Sequence, residues 1–95
     1  MAAYIVVEVH ANDPLAYERY KELAPPSIAL YGGRYLVRGG ACDTLEGEWR
    51  PRRIVVLEFP SAERARAWWN SDEYREAKAL RQSCARTQMI LVEGI

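Results

Sequence analysis

Four short segments rich in β-branched residues are separated by longer stretches of helical character, and this order limits what the chain can fold into. The predicted strands are Ala2–His10, Arg34–Gly39, Arg53–Phe59 and Thr87–Glu93. In the first, third and fourth strands, successive residues divide into one apolar face and a second, more mixed face, as expected for strands packed on a core. A Gly39-Gly40 pair interrupts the second strand and predicts a β-bulge there.

Two helical stretches complete the pattern. The first follows Asp13, a residue that caps helices, and it contains Pro25 and Pro26. Because proline has no amide hydrogen, this pair predicts a kink or a restart within the helix. The second helical stretch begins after Pro60, and the polar segment 70–72 predicts a second cap before it resumes.

The resulting order, β-α-β-β-α-β, predicts a single ferredoxin-like α+β domain spanning residues 1–95. Its four-stranded antiparallel sheet would carry helices on one face only, in the spatial order fourth, first, third and second strand. The other face keeps aliphatic residues such as Val6, Ile54 and Val56. An apolar face of that size is typical of an interface, so we expect a homodimer in which two sheets pack face to face.

Charge and composition exclude several classes of function. Thirteen basic residues balance thirteen acidic ones, and this neutrality argues against a nucleic-acid or anionic-membrane binder. No apolar run approaches the ~18 residues of a membrane span, and no secretory signal opens the sequence, so we expect a cytoplasmic protein. The two cysteines and the lone histidine do not form a metal-ligand pattern. We therefore expect neither a metal nor a cofactor.

Charged residues on the mixed faces of the strands are candidates for function. Glu58 is expected beside both Arg38 and Glu8 on neighbouring strands, and Arg38 would pair with Glu58 if the registers agree. A desolvated carboxylate with a like-charged neighbour has a raised pKa and acts as a general base. The alternative is a structural ion-pair cluster that fixes the sheet register or the dimer.

His10 ends the first strand and shares a face with Glu8, so the two side chains would line the same cavity. Histidine titrates near neutral pH, which makes His10 a candidate acid or base. The alternative is a hydrogen-bonded histidine at the solvent edge.

Tyr74 and Arg81 lie two turns apart on one side of the second helical stretch. Arg81 would hold a carboxylate ligand or pair with an internal glutamate. Trp68 and Trp69 are about 100° apart on a helix, so one is expected in the core and the other at the rim. With the tyrosines of the first helix, Trp69 would offer space for a planar organic ligand.

Several motifs together resemble one family, the domain of unknown function 1330. They are Tyr31–Gly40, Leu45–Trp49, Val56–Ser61, Ser71–Tyr74, Leu80–Gln82 and Val92–Gly94. The resemblance implies a ferredoxin-like monomer of the dimeric α+β barrel superfamily, which also contains cofactor-free monooxygenases and isomerases. It implies no agreed activity for this branch.

Two hypotheses of function follow. In the first, the protein binds a small acidic or aromatic metabolite, Arg38 or Arg81 positions it, and Glu58 or His10 moves a proton as in a cofactor-free enzyme. In the second, the protein is a non-catalytic dimer whose buried charges only define the assembly.

Overall fold

The structure is a computed structural model that describes all residues from Met1 to Ile95. Its elements are β1 (Ala3–Ala11), α1 (Pro14–Leu30), β2 (Arg34–Arg38), β3 (Ile54–Phe59), α2 (Ala62–Trp69), α3 (Asp72–Cys84) and β4 (Ala85–Glu93). The strands form one antiparallel sheet in the order β2-β3-β1-β4. The predicted ferredoxin-like architecture and strand order are thereby confirmed. None of the helices is long and apolar enough to cross a membrane.

The helices begin where the capping residues predict. Asp13 accepts a hydrogen bond from the amide of Ala16 at the start of α1. The predicted second cap is Ser71, whose hydroxyl accepts from the amide of Tyr74 at 3.1 Å and opens α3. The two prolines do not end α1, which continues through them to Leu30. Because proline has no amide hydrogen, carbonyls of the preceding turn, including that of Lys21, have no helical donor.

The core lies between the helices and one face of the sheet. Alternate residues of β1 and β3 point into it, and Trp68, Tyr74 and Phe59 are the largest fully buried side chains. Trp68 is the core tryptophan, whereas Trp69 is 36% exposed at the rim, as the helical geometry predicts. The indole Nε1 of Trp68 donates to the hydroxyl of Ser27, so its polar atom is satisfied within the core.

The bulge lies earlier in β2 than predicted. The register against β3 shifts between Tyr35 and Val37, before the glycine pair. Because an added residue reverses the faces of everything after it, Arg34 and Arg38 lie on opposite sides of the sheet. Gly39 instead has a positive φ of 76°, and its missing side chain leaves room for the guanidinium of Arg53.

The face of the sheet that points away from the helices, here called the open face, has an apolar centre. A row of aliphatic residues crosses all four strands, formed by Val37, Val56, Val6 and Ile90. The rows on both sides of it are mixed. One contains Glu58, Tyr4 and Val92, and the other contains Ile54, Glu8 and Gln88. The expected apolar face is therefore present, with polar groups at its margins.

Candidate functional site

A narrow cleft between the sheet and the helices, here called the helix–sheet cleft, holds an unusual set of charges. Its floor is aliphatic and includes Val7 and Val9 of β1, and its other walls include aromatic side chains of α1 and α2. Its charged lining residues are all cationic, namely Lys21, Arg38, Arg53 and Arg81. In a chain whose formal net charge is zero, this segregation creates a positive local potential.

Arg81 lies at the inner end of the cleft and is only 3% exposed. Its Nε donates to the phenol oxygen of Tyr74 at 3.3 Å, and its Nη1 donates to the hydroxyl of Thr87 at 2.5 Å. The Tyr74 oxygen is also hydrogen-bonded to that of Tyr20 at 2.7 Å. No carboxylate pairs with Arg81, and its Nη2 makes no hydrogen bond within the chain. The guanidinium is thus held by neutral hydroxyls and keeps an uncompensated charge.

The protonation of these groups suits the recognition of an anion. Burial raises the pKa of Tyr20 far above its usual range, and the hydrogen bond with Tyr74 adds to this shift. Burial likewise raises the pKa of Tyr35. Burial opposes the charge of Arg81, but the phenol oxygens of Tyr74 and Tyr20 outweigh it and raise the pKa of the guanidinium. At neutral pH the cleft therefore presents protonated phenols and a fixed positive charge.

Arg38 crosses the mouth of the cleft from β2 to α1. Its Nη2 donates to the backbone carbonyl of Lys21 at 2.7 Å, and its guanidinium lies 4.6 Å from the ring centroid of Tyr35. In an unbroken helix the Lys21 carbonyl would accept from the amide of residue 25. Because that residue is Pro25, the carbonyl has no helical donor and is available to Arg38.

Arg53 stands at the start of β3 with its guanidinium 5.6 Å from the ring centroid of Tyr17. Its Nε is buried and has no hydrogen-bond partner in the chain. A buried donor without a partner carries a desolvation penalty, so the side chain is held in a position that its own chain does not fully satisfy.

The residues predicted from the sequence divide between the two sides of the sheet. Arg38, Tyr74 and Arg81 are brought together around the helix–sheet cleft. Trp69 lies outside it, with the Nζ of Lys78 3.8 Å from its ring centroid, at a separate recess beside β4. The aromatic wall expected to include Trp69 contains Trp68 instead.

Glu58, Glu8 and His10 lie on the open face. The expected pair between Arg38 and Glu58 is wrong, because the register places Arg34 opposite Glu58 and Arg38 several residues further along β2. The bulge in addition turns Arg38 towards the helices. Glu58 pairs instead with Arg34, with the Arg34 Nε 2.7 Å from its Oε1. This hydrogen bond lowers the pKa of Glu58, opposite to the raised pKa expected of a general base.

The expected proximity of Glu8 to Glu58 is also wrong. Glu58 pairs with Tyr4 across the sheet, and Glu8 lies four residues further along β1. At a rise of about 3.3 Å per residue, roughly 13 Å separates the two positions. Glu8 and His10 do share one recess of the open face, as predicted, together with basic residues that include Arg52 and Arg86.

Several cleft residues escaped prediction from the sequence. The sequence does contain a pattern that predicts the inward orientation of Arg53, because this residue shares the alternating face of Val55 and Leu57. Its neighbours Arg50 and Arg52 make it resemble part of a solvated basic patch instead. Lys21 and Thr87 gave no comparable signal, because their roles depend on Pro25 and on the packing of α3.

Solved structures show the same fold at low sequence identity. The chain matches RPA0582, a protein of unknown function from Rhodopseudomonas palustris, with a TM-score of 0.81 and 19% identity, covering 99% of this chain and 82% of that one. It matches a dimeric ferredoxin-like protein of unknown function from Jannaschia sp. CCS1 with a TM-score of 0.67 and 14% identity, covering 99% and 100%. It also matches SnoaB, a cofactor-independent oxygenase from Streptomyces nogalater, with a TM-score of 0.60 and 12% identity, covering 99% and 91%.

No curated protein matches the sequence. The model of one protein family, a domain of unknown function named DUF1330, matches residues 2–95. That match spans nearly the whole chain and agrees with the resemblance of its motifs. The chain therefore belongs to the DUF1330 family.

Proposed function

We propose that this protein binds a small organic anion in the helix–sheet cleft. The observation that carries the proposal is Arg81, a guanidinium that is 3% exposed and has no carboxylate partner. Removing such a charge from water is costly unless another charge compensates it. A ligand carboxylate would accept from the Nη2 that makes no bond in the chain, and so complete the set of partners.

The walls of the cleft support a ligand with a flat apolar body. The rings of Tyr17 and Tyr20 stack with centroids 5.5 Å apart and an interplanar angle of 25°. Val7 and Val9 face the cleft from the sheet. Apolar walls with a few fixed polar groups are the usual composition of small-molecule sites, where the polar groups set the ligand's orientation. The chemistry of these walls matches an aromatic or unsaturated carboxylate.

The site supports binding more directly than proton transfer. No carboxylate or histidine lines the helix–sheet cleft. Glu58 lies across the sheet from Arg81. His10 lies at the end of β1, where it lines one recess with Glu8 and another with Arg53. The strongly raised pKa of Tyr20 keeps its phenol protonated at neutral pH, so it is not available to accept a proton. The second candidate function is a cofactor-free oxygenase or isomerase, and the grouping of Arg81 with the paired phenols favours it. Arg81 and the paired phenols would stabilise an oxyanion formed on a substrate.

Binding of a simple aromatic carboxylate tests the proposed function. Titration calorimetry with benzoate is expected to show binding that Arg81→Gln weakens at least about tenfold, as loss of a charged hydrogen bond implies. Arg34→Gln is the matched control, since it removes an ion-paired arginine from the open face. Equal benzoate affinity in the wild type and Arg81→Gln would contradict an anion site at Arg81.

We also propose that two copies of the chain pack through their open faces. The apolar central row with partly polar margins has the composition of an interface, an apolar centre inside a polar rim. Ile90 is 59% exposed and Val92 is 44% exposed, which is unusual for aliphatic strand residues in a folded protein. The Jannaschia protein, which has the same fold, is described as dimeric, and this supports a dimer here.

Val56→Asp tests this dimer. It places a charge in the central apolar row, and we expect sedimentation to show a monomer where the wild type sediments as a dimer. Burying an unpaired carboxylate on each side of a symmetric interface is strongly unfavourable. Ala79→Asp, which adds the same charge on the exposed surface of α3, should leave the dimer intact. A dimeric Val56→Asp protein would exclude the open face as the interface.

A further inference from the structure

The cations of the helix–sheet cleft lie at two separate ends. On the floor of the cleft, Val9 donates its amide to the carbonyl of Arg53 on one side and pairs with Thr87 of β4 on the other. Arg81 is bonded to Thr87, so β1 separates the Arg53 end from the Arg81 end. Two strand spacings correspond to about 10 Å.

Arg38 belongs to the Arg53 end. Its register partner is Val55, two residues beyond Arg53 on the same face of β3, and Lys21 lies next to it because Arg38 donates to the Lys21 carbonyl. Lys21 is ion-paired with Glu18, whereas Arg38 and Arg53 form no ion pair. The outer end of the cleft therefore carries two uncompensated guanidinium groups, and the inner end carries one.

We propose that the cleft recognises a dianion, a small rigid molecule with an acidic group at each end, most simply an aromatic dicarboxylate. This inference rests on the proposed function and names its ligand class. A monocarboxylate at Arg81 would leave Arg38 and Arg53 uncompensated, and it would leave the buried Nε of Arg53 without an acceptor. A second carboxylate at the outer end supplies both the charge and the acceptor.

The length and shape of the cleft select the spacer between the two acidic groups. Tyr17 lies against Arg53, and Tyr20 is bonded to the Tyr74 that holds Arg81, so two adjacent tyrosine rings connect the two ends. A single aromatic ring with acidic groups at opposite positions matches this span and stacks on the same wall. Two acidic groups on adjacent ring positions would reach only one end.

The side chains at the mouth must move to admit such a ligand. The cleft has a volume of about 20 Å³, the space of one or two water molecules. Arg38 is exposed and is held by one hydrogen bond to Lys21 and by its contact with Tyr35. Displacement of this side chain would exchange a backbone carbonyl for a ligand carboxylate as its acceptor.

Three probes separate the alternatives by titration calorimetry: benzoate, terephthalate with acidic groups at opposite positions, and phthalate with adjacent ones. We expect terephthalate to bind at least about tenfold more tightly than benzoate, the gain of one charged hydrogen bond, and phthalate to resemble benzoate. Arg53→Gln should remove the advantage of terephthalate and leave benzoate within about twofold. Arg53→Lys should retain part of the advantage, since it keeps the charge.

The outcomes distinguish this inference from the proposed function. Arg34→Gln is the control, because Arg34 is ion-paired on the open face and does not line the cleft. Equal affinities for benzoate and terephthalate, both weakened by Arg81→Gln, would overturn the dianion and leave the anion site standing. Absence of binding by all three probes, or binding insensitive to Arg81→Gln, would overturn both.

Discussion

Trp68→Ala lowers the free energy of unfolding by roughly 3–5 kcal/mol, the range found for removal of a buried aromatic side chain. Trp68 has no exposed surface, and its ring packs 4.0 Å from that of Tyr74 and 5.4 Å from that of Phe59, measured between centroids. Its loss also leaves the Ser27 hydroxyl without the indole donor. Since small domains are stable by only about 5–15 kcal/mol, the variant should be close to unfolding.

Trp69→Ala is the matched control for this prediction. The two tryptophans are adjacent in α2, but Trp69 is 36% exposed and its recorded partner is the ammonium of Lys78. Loss of a partly exposed cation–π contact costs roughly 1 kcal/mol or less. Urea denaturation at equal protein concentration compares the two, because any association would make the transition concentration-dependent. Similar losses for both variants would contradict Trp68 as the central core residue.

The order and boundaries of the elements were accessible from the sequence because local rules determine them. Strand alternation identified the buried faces of β1 and β3, and the polar segment containing Ser71 identified the break between α2 and α3. Adjacent tryptophans on a helix cannot share a face, which correctly predicts one internal tryptophan, although the aromatic wall was expected to contain Trp69 and contains Trp68. Each of these inferences needs only the repeat of a strand or a helix, or the identity of a capping residue.

The candidate site was less accessible because it depends on a single bulge. A shift of one residue in β2 decides whether Arg38 faces the open face or the helix–sheet cleft, and no residue type at Tyr35–Val37 marks it. Of the glycine pair, which does carry a bulge signal, Gly39 instead leaves room for Arg53. The ion pair of Glu58 is therefore formed by Arg34 and not by the predicted Arg38, and the sequence pattern does not predict the cationic character of the cleft.

The burial of Arg81 was not predictable from the helical wheel. Its position lies on the flank of the apolar stripe, where an arginine normally extends into water. Tyr20 and Tyr74 approach it only because α1 and α3 pack against each other, which brings residues 54 positions apart in sequence to a 2.7 Å hydrogen bond. Tertiary contacts of this kind convert an ordinary surface residue into an internal charge.

Arg81→Met abolishes binding of benzoate while leaving the free energy of unfolding unchanged or raising it by about 1–2 kcal/mol. Methionine fills similar space without a charge, and replacing buried charges with apolar groups of similar volume is often neutral or stabilising. Because Arg81 has no ion-pair partner, its removal strands no carboxylate. The Tyr74 oxygen keeps its hydrogen bond to Tyr20.

This prediction distinguishes a binding residue from a structural one, because the two roles predict opposite changes in the free energy of unfolding of Arg81→Met. If Arg81 serves only the fold or the assembly, Arg81→Met should destabilise the protein by more than about 2 kcal/mol, as loss of a buried network does. Tyr74→Phe is the comparison variant, since it leaves Tyr20 and Arg81 each without one partner and should cost about 1–3 kcal/mol. Urea denaturation of the three proteins, each with and without benzoate, measures both quantities. If Arg81→Met is stable and no longer binds benzoate, the internal cation lowers the stability of the fold and is present because the ligand requires it.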